Sequence, residues 1–294
     1  MDDKQIRQVR SFNRAVTQRI GALQDDYLSR GRPLGEARLI FEAGLDGAVD
    51  VRAIRRKLGL DSGYLSRLLR SLEAQGLVEL EAKKGDARAR ILSLTRQGRA
   101  EFAAYDALSD SLAESILSGL NATQRQRLAT SMADVERLLR ASAVTIAIEP
   151  SGSDDALWCL DQYYAELDRR FENGFDQCLG NASTAEDFAP PHGQFVIARE
   201  GDAPVGCGAL KDIGDGSGEI KRVWVSSSVR GLGVASRIMD KLEEAAREMG
   251  FATLRLDTNK TLTEAHAMYR NRGYVEIEPY NDNPFAHLWF ERRL

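Results

Sequence analysis

Residues 230–235 read Arg230-Gly231-Leu232-Gly233-Val234-Ala235. Before them stands Glu219-Ile220-Lys221-Arg222-Val223-Trp224-Val225, whose branched and aromatic residues predict a strand over 218–225. After them an amphipathic pattern predicts a helix over about 232–249, which Gly250 ends. The first turn of a helix carries unpartnered backbone N–H groups and the positive end of the helix dipole, so this junction can hold a diphosphate. Glycines at 231 and 233 let the backbone approach the anion, and Arg230 adds a charge. Two other phosphate loops can be tested from the letters. A Walker loop ends in Gly-Lys-Ser/Thr, and here Gly233 is followed by Val234-Ala235. A dinucleotide fold wants a third glycine where this chain has Ser236, and the preceding strands at 194–199 and 204–211 read as hairpins.

Working outward, the pattern predicts a strand at 145–148, a helix at about 154–172 and an irregular segment at 181–193 upstream of these strands. Downstream come a strand at 252–257, a helix at about 262–272 and strands at 274–279 and 286–291. Residues 144–294 therefore read as a domain of mixed α and β elements.

Within it, Ala265-His266-Ala267-Met268-Tyr269-Arg270-Asn271-Arg272-Gly273-Tyr274 resembles the Ala-x-x-x-Tyr-x-x-x-Gly-Tyr/Phe element of the GNAT acetyltransferase superfamily. Arg230, Gly233 and Ala235 match that family's Arg/Gln-x-x-Gly-x-Gly/Ala loop. The resemblance covers about 145–294 and implies the α/β (α+β) GNAT fold with a mixed, mostly antiparallel sheet. It implies acetyl-CoA as cosubstrate, no metal, and direct transfer of acetyl to a small-molecule or peptide amine. Arg230, Gly231, Leu232, Gly233, Val234 and Ala235 would then hold the pyrophosphate. Backbone N–H groups of Val223 and Val225 would bind the thioester carbonyl and the pantetheine arm. Tyr269 is the family-matched general acid. Glu219, opening the central strand, is the best candidate base, acting through water, with His266 and His287 behind it. The chain departs from the family at Leu262, where many members have an asparagine, and Asn259 is expected to take over that cofactor contact. Tyr280 and Asn283 are expected to touch the acceptor.

Residues 1–143 have a different character. Apolar residues from Ile6 to Tyr27 recur at helical spacing and predict a long helix over 4–29, followed by helices at about 33–43, 50–58 and 62–75. Two short strands, 77–80 and 89–94, enclose the turn Lys83-Lys84-Gly85-Asp86, and helices at about 95–117 and 123–142 complete the half. Two short helices followed by a hairpin form the layout of a winged helix-turn-helix, so this half reads as mainly α. In the second short helix Leu65, Leu68, Leu69 and Leu72 make a core stripe, leaving Ser62, Tyr64, Ser66, Arg67 and Arg70 outward for phosphate and base-edge contact with double-stranded DNA. Lys83, Lys84 and Arg88 lie at the wing tip.

Asp86-x-Arg88 leading to Leu94-Thr95-x-x-Gly98 resembles the wing signature of the MarR family of transcription regulators. The resemblance implies that Arg88 reaches the minor groove and that the protein is a homodimer built by the first and last helices of this domain. The apolar stripes of those helices are also compatible with an intramolecular core.

Charge agrees with this division. Residues 1–144 hold 24 Lys and Arg against 19 Asp and Glu, and residues 145–294 hold 16 against 25, which gives the overall −4. The positive excess lies in residues 51–90, with 10 basic against 5 acidic residues, the span of the helix-turn-helix and its wing. The three cysteines fit neither a disulfide framework nor a zinc pattern. The N-terminus lacks a signal-peptide pattern and no apolar run is long enough to span a membrane, so a cytoplasmic protein is expected. Two functions stay open. The chain is either a DNA-binding regulator fused to an active N-acetyltransferase, or a regulator whose second domain senses acetyl-CoA or a small effector without turnover.

Overall fold

The computed structural model describes residues 2–83, 86–176, 179 and 183–294, with the backbone path alone for Asp46, Lys83 and residues 86–88. The chain forms two compact units, residues 1–129 and 130–294.

In the first unit the elements run α1 (Asp3–Arg19), α2 (Leu34–Asp46), β1 (Val49–Asp50), α3 (Val51–Leu58), α4 (Ser62–Ala74), β2 (Val78–Lys83), β3 (Asp86–Leu94) and α5 (Arg96–Ser118). The strands form one small sheet in the order β1-β3-β2. The two-residue β1 is an addition to the expected hairpin. Leu65, Leu68, Leu69 and Leu72 of α4 are buried against Leu39 and Ile40 of α2 and Ile54 of α3. At about 1.5–3 kcal/mol for each large apolar side chain buried, this stripe fixes which face of α4 is left to solvent. The Leu94-Thr95-x-x-Gly98 signature has a structural cause. The Thr95 hydroxyl donates to the Gly76 carbonyl at 2.7 Å and accepts from the Gly98 amide at 3.0 Å, capping α5. A Cβ on Gly98 would collide with the Leu77 carbonyl oxygen, so only glycine fits there.

The first helix is shorter than its apolar periodicity predicts. It stops at Arg19, and Gly21 follows in the left-handed region at φ 69°. Leu23 and Tyr27 continue the spacing beyond that stop without continuing the helix. Tyr27 instead stacks on Tyr105, 6.4 Å between ring centres.

The last helix of the expected first domain, α6 (Ala122–Ala143), runs straight into β4 (Val144–Glu149), and the break between the units falls inside it rather than after residue 143. Its final turns belong with the second unit. Arg140 forms a two-pronged pair with Glu200 at 2.6 and 2.8 Å, and Arg237 donates to the carbonyls of Ala141 and Val144 at 3.0 and 2.6 Å.

The second unit continues with α7 (Asp154–Arg170), β5 (Gly193–Glu200), β6 (Ala203–Asp212), β7 (Ser217–Val225), α8 (Val234–Glu248), β8 (Thr253–Thr258), α9 (Thr263–Asn271), β9 (Val275–Ile277) and β10 (Leu288–Arg293). Its seven strands lie in the order β4-β5-β6-β7-β8-β10-β9, and all neighbours are antiparallel except β7 and β8. The single parallel pair follows from α8, which supplies the crossover that a parallel pair requires. Alternation along β5 makes the three layers. Val196 and Ala198 join the core beneath Ile238 and Leu242 of α8. Phe195 and Ile197 join the core on the other side with Ala156 and Leu160 of α7. Among the described residues, no helix is long and apolar enough to cross a membrane.

Candidate active site

The junction between β7 and α8 has the form the glycine loop requires. Gly231 and Gly233 adopt φ 73° and 76°, and nothing stands within 4 Å of where their Cβ atoms would be. Gly233 caps α8 without a side chain to accept from the first-turn amides, and that turn has no acidic residue. The amides are therefore available to an anion. Arg230 ties the loop down. Its Nε donates to the Val225 carbonyl at 2.9 Å and its terminal nitrogen pairs with Glu166 of α7. Burial acts to raise the Glu166 carboxyl, but hydrogen bonds from Arg230 and from Trp224 Nε1, the latter at 2.9 Å, outweigh it and hold the group below the usual carboxylate range. Leu232 turns inward and packs on the core beneath α8. A cavity of about 460 Å³ opens at this loop, bounded by Val225, Arg230, Gly231, Gly233, Val234 and Ala235.

A break in sheet pairing lies beside it. Opposite Gly208 of β6, β7 carries an extra residue, a bulge marked by Arg222 at φ 57°. A left-handed arginine costs about 1–2 kcal/mol, a strain of the kind that collects at functional sites. On its other edge β7 pairs with β8 only from Ser217 to Glu219, so from Ile220 onward that edge faces a cleft. Val223 and Val225, expected to offer their backbone amides, lie on this open stretch.

The cleft holds a second cavity of about 400 Å³, whose wall includes Lys221, Arg222, Asp257, Asn283, Tyr164 and Phe285. The two cavities share Tyr163, Leu167, Val223, Leu262, Ala265 and Tyr269 in their walls. Tyr269 is buried, 7% exposed, and its hydroxyl makes no hydrogen bond among the described residues. Burial first, and then the nearby Asp257 charge, push its phenol well above the ordinary tyrosine range, so it stays protonated.

Glu219 is brought close to this centre but lies in neither wall. It is 3% exposed, accepts from Tyr280 Oη at 2.7 Å and Asn281 Nδ2 at 3.2 Å, and pairs with Lys221 at 3.3 Å. Asp257 stands in front of it. Asn281 bridges the two carboxylates by donating also to Asp257 at 2.7 Å, while Asn283 Nδ2 holds the other Asp257 oxygen at 2.9 Å. Burial, and then the charges of Glu219 and Asp257, push the Tyr280 phenol up and keep it a donor. Asn283 therefore lines the cavity where an acceptor was expected, whereas Tyr280 braces Glu219 from behind.

Asn259 is placed differently from its expected part. It borders the second cavity, not the loop cavity, and its amide is already engaged, donating to the Phe285 carbonyl at 2.8 Å and accepting from the Thr261 amide at 3.0 Å. His266 is turned to the Asn259 carbonyl at 2.8 Å, and His287 is exposed beside Phe285. Asp257, Arg222, Lys221 and Tyr163 carry no signal in the sequence, because charges and a tyrosine in ordinary alternation form no motif.

In the first unit, Ser62, Ser66, Arg67 and Arg70 are exposed on α4. Ser66 Oγ donates to the Ser62 carbonyl at 2.7 Å and Arg70 Nε to the Ser66 carbonyl at 3.2 Å, so two of these side chains lie along the helix. Tyr64 departs from the outward position expected of it. It packs against the core with its hydroxyl beside Gly35 of α2, and the Arg67 guanidinium rests 5.7 Å from its ring centre. Lys84 and the Arg88 side chain lie outside the described residues.

Known families match each half of the chain. A profile of the Acetyltransferase (GNAT) family matches residues 160–274, and one of the MarR family matches residues 31–89. An IAA acetyltransferase of Azospirillum brasilense is 31% identical over 155 residues, spanning 51% of this chain and 98% of the relative. An uncharacterised N-acetyltransferase of Schizosaccharomyces pombe is 30% identical over 147 residues, spanning 49% and 88%. The crystal structure of a GNAT-family acetyltransferase from Staphylococcus aureus is 18% identical, with a TM-score of 0.44 over 51% of this chain and 99% of that one. This chain belongs to the GNAT acetyltransferase family through its second half, fused to a MarR-family domain in its first.

Proposed function

We propose that the second unit transfers an acetyl group from acetyl-CoA to an amine, and that the first binds double-stranded DNA as a homodimer. The observation that carries the transferase reading is the meeting of two cavities at Tyr269 and Val223, one floored by a glycine loop and the other walled by charged groups.

Acetyl-CoA supplies the thioester, with its pyrophosphate on the first-turn amides of α8 and its pantetheine arm along the open edge of β7. The amine nitrogen bonds to the acetyl carbonyl carbon, the carbon–sulfur bond breaks, and its electron pair stays on sulfur. Backbone N–H groups at Val223 and Val225 stabilise the charge on the carbonyl oxygen. Tyr269 gives its phenol proton to the departing sulfur, a task suited to a phenol that burial keeps protonated. Asp257 takes the amine proton, since it is the carboxylate in the cavity wall. Glu219 acts behind it, holding Asp257 and Lys221 in place through Asn281 and its own ion pair.

The DNA reading rests on the exposed basic residues of α4 and on the wing's place beside it. Dimerisation rests on solvent-facing apolar residues of the two helices expected to build it. Ile6, Val9 and Phe12 of α1 are 42–57% exposed, and Met132, Leu138 and Leu139 of α6 are 51–61% exposed.

The test is thiol release from acetyl-CoA by the full chain against a panel of amines. Amine-dependent release supports the transferase. Tight coenzyme binding without release on any amine replaces it with the sensor reading, in which the ligand shifts DNA affinity by binding two states differently.

A further inference from the structure

The acceptor cavity carries a charge that the transfer chemistry does not use. Of its two cations, Lys221 is answered by carboxylates, with Glu219 at 3.3 Å and Asp257 at 3.9 Å. Arg222 is not. Among the described residues its guanidinium pairs with no carboxylate, and its one hydrogen bond is to the Ser183 carbonyl at 2.9 Å. It is held instead by rings, 4.5 Å from the centre of buried Phe188 and 5.8 Å from that of Tyr164. Rings fix its position and leave N–H groups without an acceptor among the described residues, since a guanidinium has five donors.

The backbone explains how it reaches the cavity. In regular alternation Lys221 and Arg222 would point to opposite faces of the sheet. The bulge and the left-handed Arg222 break that alternation, and Ile220, Lys221, Arg222 and Val223 all contribute to one wall. A strained backbone that turns an unpaired arginine into an acceptor cavity is a specific arrangement.

One side of the wall is aromatic. Phe175 stacks on Tyr164 at 5.7 Å and meets Phe285 at 4.8 Å, and Phe285 in turn stacks on Phe171 at 5.9 Å. The cavity thus offers an acidic wall at Asp257, an unpaired guanidinium at Arg222 and an apolar floor of rings, within a volume suited to a small molecule.

Resting on the transferase reading above, we propose that the acceptor is a free amino acid with an aromatic or large apolar side chain. Its carboxylate pairs with Arg222, its amine faces Asp257 and the Tyr269 junction, and its side chain lies among Tyr164, Phe175 and Phe285. The reaction forms an N-acyl amide and releases coenzyme A thiol. Arg222 is the specificity-determining residue, because planar guanidinium and carboxylate match in a two-pronged pair.

The experiment compares phenylalanine with phenethylamine, which differ only in the carboxylate, in thiol release by the full chain and by Arg222→Gln and Arg222→Lys. Phenylalanine is expected to exceed phenethylamine in kcat/KM by about tenfold or more, the scale of a lost charged hydrogen bond. In Arg222→Gln the two acceptors should converge to within a few-fold, chiefly through a higher KM for phenylalanine, and Arg222→Lys should keep part of the difference. Preference for phenethylamine, or a preference for phenylalanine that survives in Arg222→Gln, overturns the proposal. Calorimetric titration of N-acetylphenylalanine into the chain loaded with coenzyme A separates the acceptor class from the chemistry. Binding that weakens in Arg222→Gln upholds the acceptor class even if no amine is turned over, and absence of binding to the unaltered chain overturns it.

Discussion

Arg230 Nε donates to the Val225 carbonyl oxygen at 2.9 Å, joining the glycine loop to the last residue of the strand it follows. The same side chain pairs with Glu166 on α7, so one residue sets the loop against both the strand and the facing helix. Arg230→Ala removes these links and a positive charge from the loop cavity. Affinity for acetyl-CoA should fall about tenfold or more, the scale of a charged hydrogen bond, with a smaller effect on kcat. Calorimetric titration with coenzyme A beside steady-state kinetics checks the split. A fall in kcat with binding unchanged would put Arg230 in the wrong role.

Tyr269→Phe keeps the ring and its packing on Tyr274 and Phe290. It removes the hydroxyl proposed to give the proton, so kcat should drop by about 100-fold or more with little change in either KM. Rates unchanged in the variant would remove Tyr269 from the chemistry.

The pH profile follows from the same residue. Burial raises the Tyr269 phenol, so its acid form persists above the pH near 10 at which an ordinary tyrosine ionises. The activity of the unaltered protein should therefore rise with pH as the amine deprotonates and show no descending limb below about pH 10. A descending limb between about pH 8 and 9 would show an essential acid of lower pKa than this phenol.

Much of this is legible in the sequence because motifs mark backbone demands. The glycines at 231 and 233 sit in left-handed conformations, and Gly98 sits where a Cβ meets the Leu77 carbonyl. Spacing alone puts Leu65, Leu68, Leu69 and Leu72 in the core for the same kind of reason, a period that matches the helix. The second cavity is not legible. Arg222 looks like any strand arginine until the bulge turns it, and Asp257 gains meaning only when β7 and β8 part beyond Glu219. Tyr64 reads as outward from its place beside the leucine stripe, but the glycine at 35 lets it lean inward. Apolar periodicity overruns α1 because Leu23 and Tyr27 hold the spacing after Gly21 has ended the helix.

Gly98→Ala should destabilise the first unit by about 1–3 kcal/mol, the range for overpacking against atoms that cannot withdraw. Since the obstacle is the Leu77 carbonyl, which also accepts from the Thr95 amide at 3.1 Å, the start of α5 should fray with it. Thermal unfolding followed by circular dichroism reads the change, and a melting temperature equal to that of the unaltered chain would contradict the close approach.

Arg67 and Arg70 are exposed on α4 and should contact DNA phosphates. Replacing both by alanine should lower the slope of log affinity against log salt by about 0.9 for each phosphate no longer neutralised. Fluorescence anisotropy with a labelled duplex at several salt concentrations measures it, and an unaltered slope would show that α4 does not touch the backbone.

Passage of acetyl between two cavities that meet at Tyr269 is read most directly by mass spectrometry. An amine panel is incubated with the full chain and acetyl-CoA carrying an isotopic label in the acetyl group. Labelled N-acetyl product is expected, its formation falling about 100-fold in Tyr269→Phe. Label that stays on coenzyme A with every amine, while the coenzyme is bound, would contradict transfer at this site.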